Sequence, residues 1–585
     1  MSIRMTVILC AWTASFATSF AQSADQKLNV FFQQYLDQQF RQQPLEATRL
    51  GDHRFDHLLD DVSSHAREGW TVFIRRTLEE LPRQIDYAKL SRGSQIDFEI
   101  LRHELIQSLW LADHIRPFER DPRVYNERIS DSVFLLLTQS TLPKETNVAN
   151  CIARMTQISQ VIAAAKESLR NPPRPILETA IRQNRGAISF YEKDIFELAR
   201  PTSQGGPLKS AADRVATQLK EYQKFLEEEV LPRSSPNWRI GKENFNEKLA
   251  LEMDAGLTAA EVLADAEAEF ARVENELYVI ARQLWSRYYS TTALPPDDPM
   301  GRRATLQKVL NAVSQEHGKP EDLVADARAT VDRIRSFIRE HDLLRLPEPD
   351  RCQVIEMPEF QRGNSLAYLN SAPPLDPMAA SLYAISPPPA DWDALRVSSL
   401  LEEYNRHMLQ ILTIHEAYPG HYVQLEYSNR SRSPIRRVLQ SGVFIEGWAV
   451  YTEQTMLDQG YGDGDLRLRL MQLKFYLRAV GNAILDNKLH CAGMSDGAAL
   501  TFLTERSFQS DGEARLKIIR AKQSSVQLST YFVGRMAHYR LRQQIQRELG
   551  EKFDLGRFHE AVLDHGSVPV KYLPELVRAR LNQPR

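Results

Sequence analysis

Two histidines and two glutamates in the second half of the chain have the types and order of a catalytic metal site. His415, Glu416 and His421 lie in the segment HEAYPGHYVQ, and Glu446 follows in FIEGWAVYTE. A catalytic zinc site has three protein ligands and leaves one position open for water. The pattern predicts one Zn²⁺ per chain, held by His415, His421 and Glu446. Glu416, beside the first histidine, is then the expected catalytic base that takes a proton from the water.

The spacing of the two histidines differs from that of the common helical zinc motif. In HExxH the histidines are four residues apart, about 40° around a helix, and share a face. Here they are six residues apart, which is about 120° on a straight helix. Pro419 has no N–H to give to the carbonyl of His415, and Gly420 accepts backbone angles closed to other residues. We therefore expect the helix to break between Tyr418 and Gly420, which brings the two imidazoles together.

A further carboxylate follows Glu446 on the same predicted helix. Glu453 lies seven residues on, about 20° off the same face. We expect it to support a metal ligand or to contact substrate. A histidine–glutamate pair followed by another histidine also occurs by chance in structural segments, and the accompanying Glu446-Gly-Trp sequence favours the metal interpretation.

These segments resemble a known family. HEAYPGHYVQ followed by FIEGWAVYTE is similar to the pattern HExxPGHxxQ and EGWAxYxE of the bacterial "domain of unknown function 885" family. The similarity continues in RAVGNAILDNKLH at 478–490, VQLSTYFVG at 526–534 and FHEAVLDHGSVPVKYL at 558–573, and upstream at 241–249 and 257–270. The family resembles helical zinc metallopeptidases of the thimet oligopeptidase, carboxypeptidase Taq and angiotensin-converting-enzyme type. The resemblance implies a large helical fold with a deep cleft and peptidase activity.

The resemblance also implies roles for residues outside the central motif. Gln424, three residues after His421, matches the family glutamine and is expected to orient a metal ligand. Gln527 and Tyr531 fall at family positions as well. Tyr531 is suited to hydrogen-bond the oxyanion of a tetrahedral intermediate. An ordinary core tyrosine is the alternative.

Four further positions near the end of the chain are candidates. Asp486 and His490 are four residues apart and share a helical face. We expect Asp486 to accept a hydrogen bond from a metal-site histidine, with a buried polar network as the alternative. His559 is a candidate for contact with substrate, with a structural cap as the alternative. Together with Tyr531 or His559, Arg542 would stabilise the oxyanion or hold a substrate carboxylate.

Most of the chain has the periodicity of α-helix. Apolar residues recur three and four apart in 26–42, 96–112, 150–168, 176–198, 209–230 and 258–292. Thr258 and Glu261 form a capping box at the start of the last of these. Short apolar runs bounded by prolines in 350–395 predict two or three strands, one of which would hold an extended peptide. A proline-rich connection is the alternative. The sequence thus predicts a mainly α protein with a small β element near residues 350–390.

Length and composition set the organisation of the chain. Residues 1–21 end in Ser-Phe-Ala after a short apolar run and predict a secretory signal peptide. We divide the rest into an N-terminal helical part, 22–345, and a C-terminal part with the metal site, 346–585, and expect one continuous unit. Three cysteines remain after cleavage, so at most one disulfide forms within the chain. The protein is therefore expected to be exported, to the periplasm or the medium.

The net charge indicates which classes of binding partner to expect. The net charge is only −3 over 585 residues and no basic run is present, which argues against nucleic acid. Outside the leader no stretch approaches a membrane span. The sequence predicts an exported zinc-dependent metallopeptidase that hydrolyses peptide bonds of short peptides or peptide-like substrates. Another metal-dependent amide hydrolase and a non-catalytic periplasmic binding protein of the same fold remain as alternatives.

Overall fold

The chain is described here from a computed structural model, which covers residues 23–357, 367–389 and 392–583. The predicted signal peptide, residues 1–21, lies outside these ranges. Helices account for 73% of the structure, and the strands form one small sheet. The predicted mainly α fold is therefore confirmed.

Amphipathic helices separated by short turns make up the N-terminal part. The capping box of α13 forms as predicted, because Thr258 Oγ1 accepts from Glu261 N and the Glu261 carboxylate accepts from Thr258 N. The helices are α1 (Ala24–Gln42), α2 (Pro44–Leu50), α3 (Ser64–Gln84), α4 (Arg92–Trp110), α5 (Pro117–Arg120), α6 (Arg123–Thr138), α7 (Lys144–Met155), α8 (Ile158–Ser168), α9 (Arg174–Ser189), α10 (Ile195–Leu198), α11 (Gly205–Lys224), α12 (Lys242–Met253), α13 (Ala259–Tyr288), α14 (Pro299–Ser314) and α15 (Leu323–Glu340).

The predicted β element is a three-stranded sheet. Its strands are β1 (Cys352–Glu356), β2 (Ala367–Asn370) and β3 (Ser381–Ile385), in the order β1-β3-β2. β1 runs parallel to β3, with Cys352 opposite Ser381, and β2 runs antiparallel to β3, with Ala367 opposite Ile385. β2 is therefore an edge strand.

Helices resume after the sheet and carry the candidate site. They are α16 (Ala394–Glu403), α17 (Arg406–Glu416), α18 (His421–Asn429), α19 (Pro434–Val438), α20 (Gly442–Asp458), α21 (Leu466–Cys491), α22 (Asp496–Thr501), α23 (Asp511–Gln523), α24 (Thr530–Leu549), α25 (Leu555–Leu563) and α26 (Leu573–Leu581). Single turns of 3-10 helix occur at His53–Phe55, Tyr87–Lys89, Leu231–Arg233, Pro320–Asp322, Gln527–Ser529, Gly550–Lys552 and Val570–Tyr572, and of π-helix at Leu111–Ile115, Phe190–Asp194, Phe225–Val230 and Phe502–Arg506.

One apolar core joins the two parts of the chain. It contains Leu28 of α1, Leu277 of α13, Ile414 of α17 and Val577 of α26. A second core lies among α6 to α11 of the N-terminal part. The helices that carry the candidate site are thus packed directly against N-terminal helices. In the described ranges no helix has both the length and the apolar character that crossing a membrane requires.

Two surface cavities lie in the N-terminal part. The larger, about 800 Å³, is lined by residues that include Trp70 and Arg116. The smaller, about 520 Å³, is lined by residues that include Asn126 and Asp131. Neither lining includes the predicted metal ligands, so the expected deep cleft beside the metal site stays a prediction.

Candidate metal centre

The helix that carries the first histidine breaks where the sequence predicts. α17 ends at Glu416, and α18 begins at His421. Gly420 lies against the turn before it: a Cβ at this position would be 1.9 Å from the carbonyl oxygen of His415. Heavy atoms cannot approach so closely, so only glycine fits here. The break at 417–420 therefore lets the two imidazoles face the same point, although six residues separate the histidines.

Hydrogen bonds from other elements hold this break. Trp448 of α20 donates from Nε1 to the carbonyl of Pro419 over 2.8 Å. Tyr418 donates from its hydroxyl to Asp350 over 2.7 Å. Both Trp448 and Tyr418 are buried. The connection between the two histidines is therefore fixed by the helix that also carries Glu446.

The three predicted ligands meet. Nε2 of His421 is 3.5 Å from Glu446 Oε2, and Nε2 of His415 is 3.7 Å from the same oxygen. The two imidazole rings are 4.7 Å apart, with an angle of 85° between their planes. Atoms about 2.0–2.1 Å from a tetrahedral zinc are roughly 3.3–3.4 Å from one another. The two distances to Glu446 Oε2 are close to that spacing, and one ligand atom of each of the three residues lies within 4.8 Å of the others.

The polar atoms of the cluster fit a cation. Glu446 Oε2 is buried and makes no hydrogen bond within the part of the chain that the structure describes. A buried carboxylate oxygen normally has a partner, and the Nε2 atoms of His421 and His415 face this oxygen at 3.5 and 3.7 Å. Burial, together with the charge of His421, lowers the pKa of His415 to about 3. His415 is therefore a neutral imidazole, the form that binds metals.

Glu453 supports His415 from behind. His415 Nδ1 lies 2.7 Å from Glu453 Oε1, and Glu453 is completely buried. A carboxylate at Nδ1 fixes the ring and leaves Nε2 free to face the cluster. Burial and the charge of Glu446 raise the pKa of Glu453, and a cation between the ligands would act in the opposite direction.

Glu416 is held by the edge strand. Its Oε2 accepts a hydrogen bond from the backbone N–H of Leu369 in β2 over 3.0 Å. Burial raises the pKa of Glu416 to about 7. A general base works best when its pKa lies near the operating pH. A pKa near neutrality suits the predicted role of Glu416 as a general base.

Two glycines bring Tyr531 to the cluster. A Cβ at Gly447, the residue after Glu446, would lie 2.2 Å from the backbone carbon of Gly534. α20 and α24 therefore cross with their backbones in contact. Tyr531 lies one turn before Gly534 on α24, and burial together with the nearby Glu446 carboxylate raises the pKa of its hydroxyl.

An arginine that the sequence analysis did not identify lies next to Tyr531. Arg520 of α23 donates to the Tyr531 hydroxyl oxygen over 3.2 Å and to Gln527 Oε1 over 2.9 Å. In the sequence it is one of several charged residues of a surface helix, so only the fold identifies it. The Tyr531 O–H remains available to donate to another group.

Several predicted supporting residues are engaged elsewhere. The acceptor behind His415 is Glu453 and not Asp486, which accepts from the backbone N of Val526 and from Ser529 Oγ. Asp486 thus belongs to the buried polar network that was the alternative. His490 contacts the carbonyl of Ala521 over 2.9 Å.

Gln424 and two other candidates also face away from the cluster. Gln424 donates to Ser567 Oγ over 2.6 Å and joins α18 to the C-terminal segment. His559 is buried, with Nε2 on the Tyr451 hydroxyl and Nδ1 on the carbonyl of Leu343. Both nitrogens are occupied, so the structure does not support its predicted contact with substrate. Arg542 donates to Thr455 Oγ1 over 3.3 Å, more than two turns along α20 from Glu446.

The structure is thus that of a mainly α protein in which two histidines and one glutamate form a candidate metal centre. The model of the family described as "Bacterial protein of unknown function (DUF885)" matches residues 44–577, and the chain belongs to this family.

Two solved structures share the fold. "The structure of a putative lipoprotein of unknown function from Shewanella oneidensis" has a TM-score of 0.81 at 30% sequence identity, over 95% of this chain and 100% of that chain. "The crystal structure of the putative lipoprotein from Colwellia psychrerythraea" has a TM-score of 0.80 at 18% identity, over 96% and 100%, and shows the fold alone. No curated protein matches the chain. These matches support the family and the fold, and they do not extend to zinc metallopeptidases.

Proposed function

We propose that the protein is an exported zinc-dependent metallopeptidase that acts on short peptides. The observation that carries the proposal is the buried Glu446 Oε2, which has no hydrogen bond and faces Nε2 of both His415 and His421. These three residues would hold one Zn²⁺. Export is supported by the relative from Shewanella oneidensis, 30% identical, which is described as a "putative lipoprotein".

A bound zinc ion supplies Lewis-acid chemistry that polarises a peptide carbonyl and makes water more acidic. Glu416 takes the proton of the attacking water and passes it to the leaving amine nitrogen. Its hydrogen bond from Leu369 N fixes the carboxylate during this transfer. The water oxygen bonds to the carbonyl carbon and gives a tetrahedral oxyanion. When the C=O bond forms again the C–N bond breaks, which yields a carboxylic acid and an amine. Tyr531 donates its O–H to the oxyanion.

The first experiment measures zinc content and peptide hydrolysis in the same preparations. We expect about one zinc per chain in the wild type and in Glu416→Ala, and a large loss in His421→Ala and Glu446→Ala. Glu416→Ala should lower kcat by roughly 10²- to 10⁴-fold, the usual contribution of a general base. His65→Ala, an exposed histidine far from the cluster in sequence, is the control and should keep both metal and activity.

Two outcomes would contradict the proposal. A folded wild-type protein that takes up no stoichiometric zinc, even when zinc is supplied, would favour a binding protein. A zinc-loaded protein that cleaves no member of a peptide library but hydrolyses other amides would favour a different metal-dependent amide hydrolase.

A further inference from the structure

A group of basic side chains lies beside the candidate metal centre. The group, called the cationic cluster below, consists of two residues of α21 and two of α23: Lys474, Arg478, Lys517 and Arg520. Two carboxylates pair with it. Arg478 Nη1 is 2.6 Å from Glu513 Oε1, and Lys474 Nζ is 3.1 Å from Glu403 Oε2. Two positive charges of the cationic cluster therefore make no ion pair with a carboxylate in the part of the chain that the structure describes.

These two charges belong to Lys517 and Arg520. Lys517 is only 7% exposed, and none of the described residues forms a hydrogen bond or ion pair with its ammonium group. A buried, unpaired ammonium is unfavourable. Burial and the charges of Arg478 and Arg520 lower the pKa of Lys517 to about 7. A negatively charged group placed here would relieve this repulsion.

Arg520 is the accessible member of the pair. Its side chain is exposed, and its hydrogen bonds go to the neutral oxygens of Gln527 and Tyr531. Several of its N–H donors remain, because a guanidinium carries five. Arginine binds carboxylates with two parallel hydrogen bonds. Neutral groups thus orient the Arg520 side chain, and no ion pair with a described residue neutralises its charge.

The cationic cluster borders the metal residues on two sides. On one side, Arg520 contacts Tyr531, which stands beside Glu446 through the crossing of Gly447 and Gly534. On the other, the Arg478 guanidinium lies 5.4 Å from the ring of Phe475, which is 5.9 Å from the ring of His415. A peptide whose scissile carbonyl lies at the metal residues would bring nearby groups to the cationic cluster.

We propose that the cationic cluster binds a carboxylate of the substrate, with Arg520 and Lys517 as the direct contacts. The inference rests on the proposed peptidase function and narrows its substrates to peptides with a carboxylate close to the scissile bond. That carboxylate is either the free C-terminus or an acidic side chain. Both present the same two oxygens to the cationic cluster.

The test compares peptides that differ only in charge. One sequence is offered with a free C-terminus, with a C-terminal amide, and as the amide with one glutamine replaced by glutamate. We expect the wild type to prefer a peptide with a carboxylate. In Arg520→Gln and Lys517→Met the preference over the neutral amide should fall by roughly 10- to 100-fold, the value of a hydrogen bond to a charged group. Whichever charged peptide loses its advantage identifies the source of the carboxylate.

A binding measurement separates this inference from the peptidase proposal. N-acetyl-alanine and its amide are titrated into metal-free protein by calorimetry. The acid should bind and the amide should not, and Arg520→Gln should abolish the difference. Arg515→Gln, an exposed arginine of the same helix that pairs with Asp511, is the control and should retain it.

The outcomes are distinct. Equal cleavage of charged and neutral peptides by the wild type, with unchanged ratios in both variants, would overturn the carboxylate site and leave the peptidase proposal standing. Binding of the acid that depends on Arg520, without hydrolysis of any peptide, would support the carboxylate site and contradict the peptidase proposal. Equal binding of acid and amide would overturn the inference as well.

Discussion

Glu446 is partly buried and Glu453 completely buried on the same face of α20, and their surroundings differ. Glu446 turns an oxygen without a hydrogen bond toward the two imidazoles, whereas Glu453 contacts Nδ1 of His415. A ligand needs a free lone pair, and a supporting residue needs a donor to orient. The hydrogen bonds of the two side chains therefore suit Glu446 to the proposed role of metal ligand and Glu453 to that of its support.

Asp486 is expected to make the folded state less stable as the pH rises from about 4 to about 7. Burial raises the pKa of Asp486 to about 7, against an ordinary value of 3.8. Between these values the folded chain holds a proton that the unfolded chain has released. Stability is therefore greatest at the acidic end and is lost as the pH rises through the folded pKa. Asp486→Asn keeps partners for Val526 N and Ser529 Oγ but cannot ionise.

Thermal unfolding at pH 5 and pH 8, with a chelator present, measures this effect. The drop in Tm between the two pH values should be smaller in Asp486→Asn than in the wild type. The control is Asp496→Asn, which changes an exposed carboxylate that pairs with Lys522. Parallel pH profiles for Asp486→Asn and the wild type would refute the assignment.

The crossing of α20 and α24 sets the distance between Glu446 and Tyr531. A Cβ at Gly534 would lie 2.0 Å from the carbonyl oxygen of Val443 and 2.7 Å from the Cα of Gly447. Gly534→Ala must therefore push the two helices apart. Overpacking of this kind destabilises by about 1–3 kcal/mol, and it moves Tyr531 away from Glu446. We expect a lower Tm and weaker zinc binding.

Gly442→Ala in the same α20 is the matched control. No atom lies within 4 Å of the position of its added Cβ, so the Tm and the zinc affinity should stay close to those of the wild type. Thermal unfolding and competition with a coloured chelator measure the two properties. Identical results for the two alanine variants would show that the close approach at Gly534 is not needed.

How far the sequence predicts the structure depends on whether a signal is local. The helix break at Pro419 and Gly420, the capping box at Thr258 and the strands near 350–390 all follow from local patterns, and the structure has each of them. Contacts between residues distant in sequence depend on helix packing and do not follow from local patterns. The family motifs predict that Asp486 accepts a hydrogen bond from a metal-site histidine. In the structure Glu453 of α20 takes this position beside His415.

Arg520 shows the same limit from the other direction. Its segment, ARLKIIRAKQ, has the charge pattern of an ordinary surface helix, and nothing in it indicates contact with Tyr531. Only the contact of Gly447 with Gly534 brings Tyr531 close to Glu446. Small residues in two separated segments do not by themselves indicate that two helices are in contact.

At the scale of the whole molecule, the two parts of the chain share their main core. We expect residues 346–585, expressed alone, to lack cooperative thermal unfolding, because Leu28 and Leu277 belong to the same apolar core as Ile414. The buried ion pair between Asp97 and Arg436, 2.6 Å long, also joins the two parts. Removal of one partner leaves a buried charge unpaired, which costs about 3–5 kcal/mol.

Co-expression of 22–345 with 346–585 provides the complementary measurement. The two fragments should associate and recover both a cooperative transition and zinc binding. A C-terminal fragment that alone unfolds cooperatively and binds one zinc would show that the metal centre belongs to an independent domain.

The shared core also determines when the site can form. Leu28 and Val577 lie in it together, so the core stays incomplete while the ribosome has yet to release α26. Domains usually fold as units during synthesis, from the N-terminus onward, but here an early helix must wait for a late one. His415, His421 and Glu446 would then converge only after translation ends. If the chain is translocated before it folds, any metal that the site takes up would come from the destination compartment and not from the cytosol.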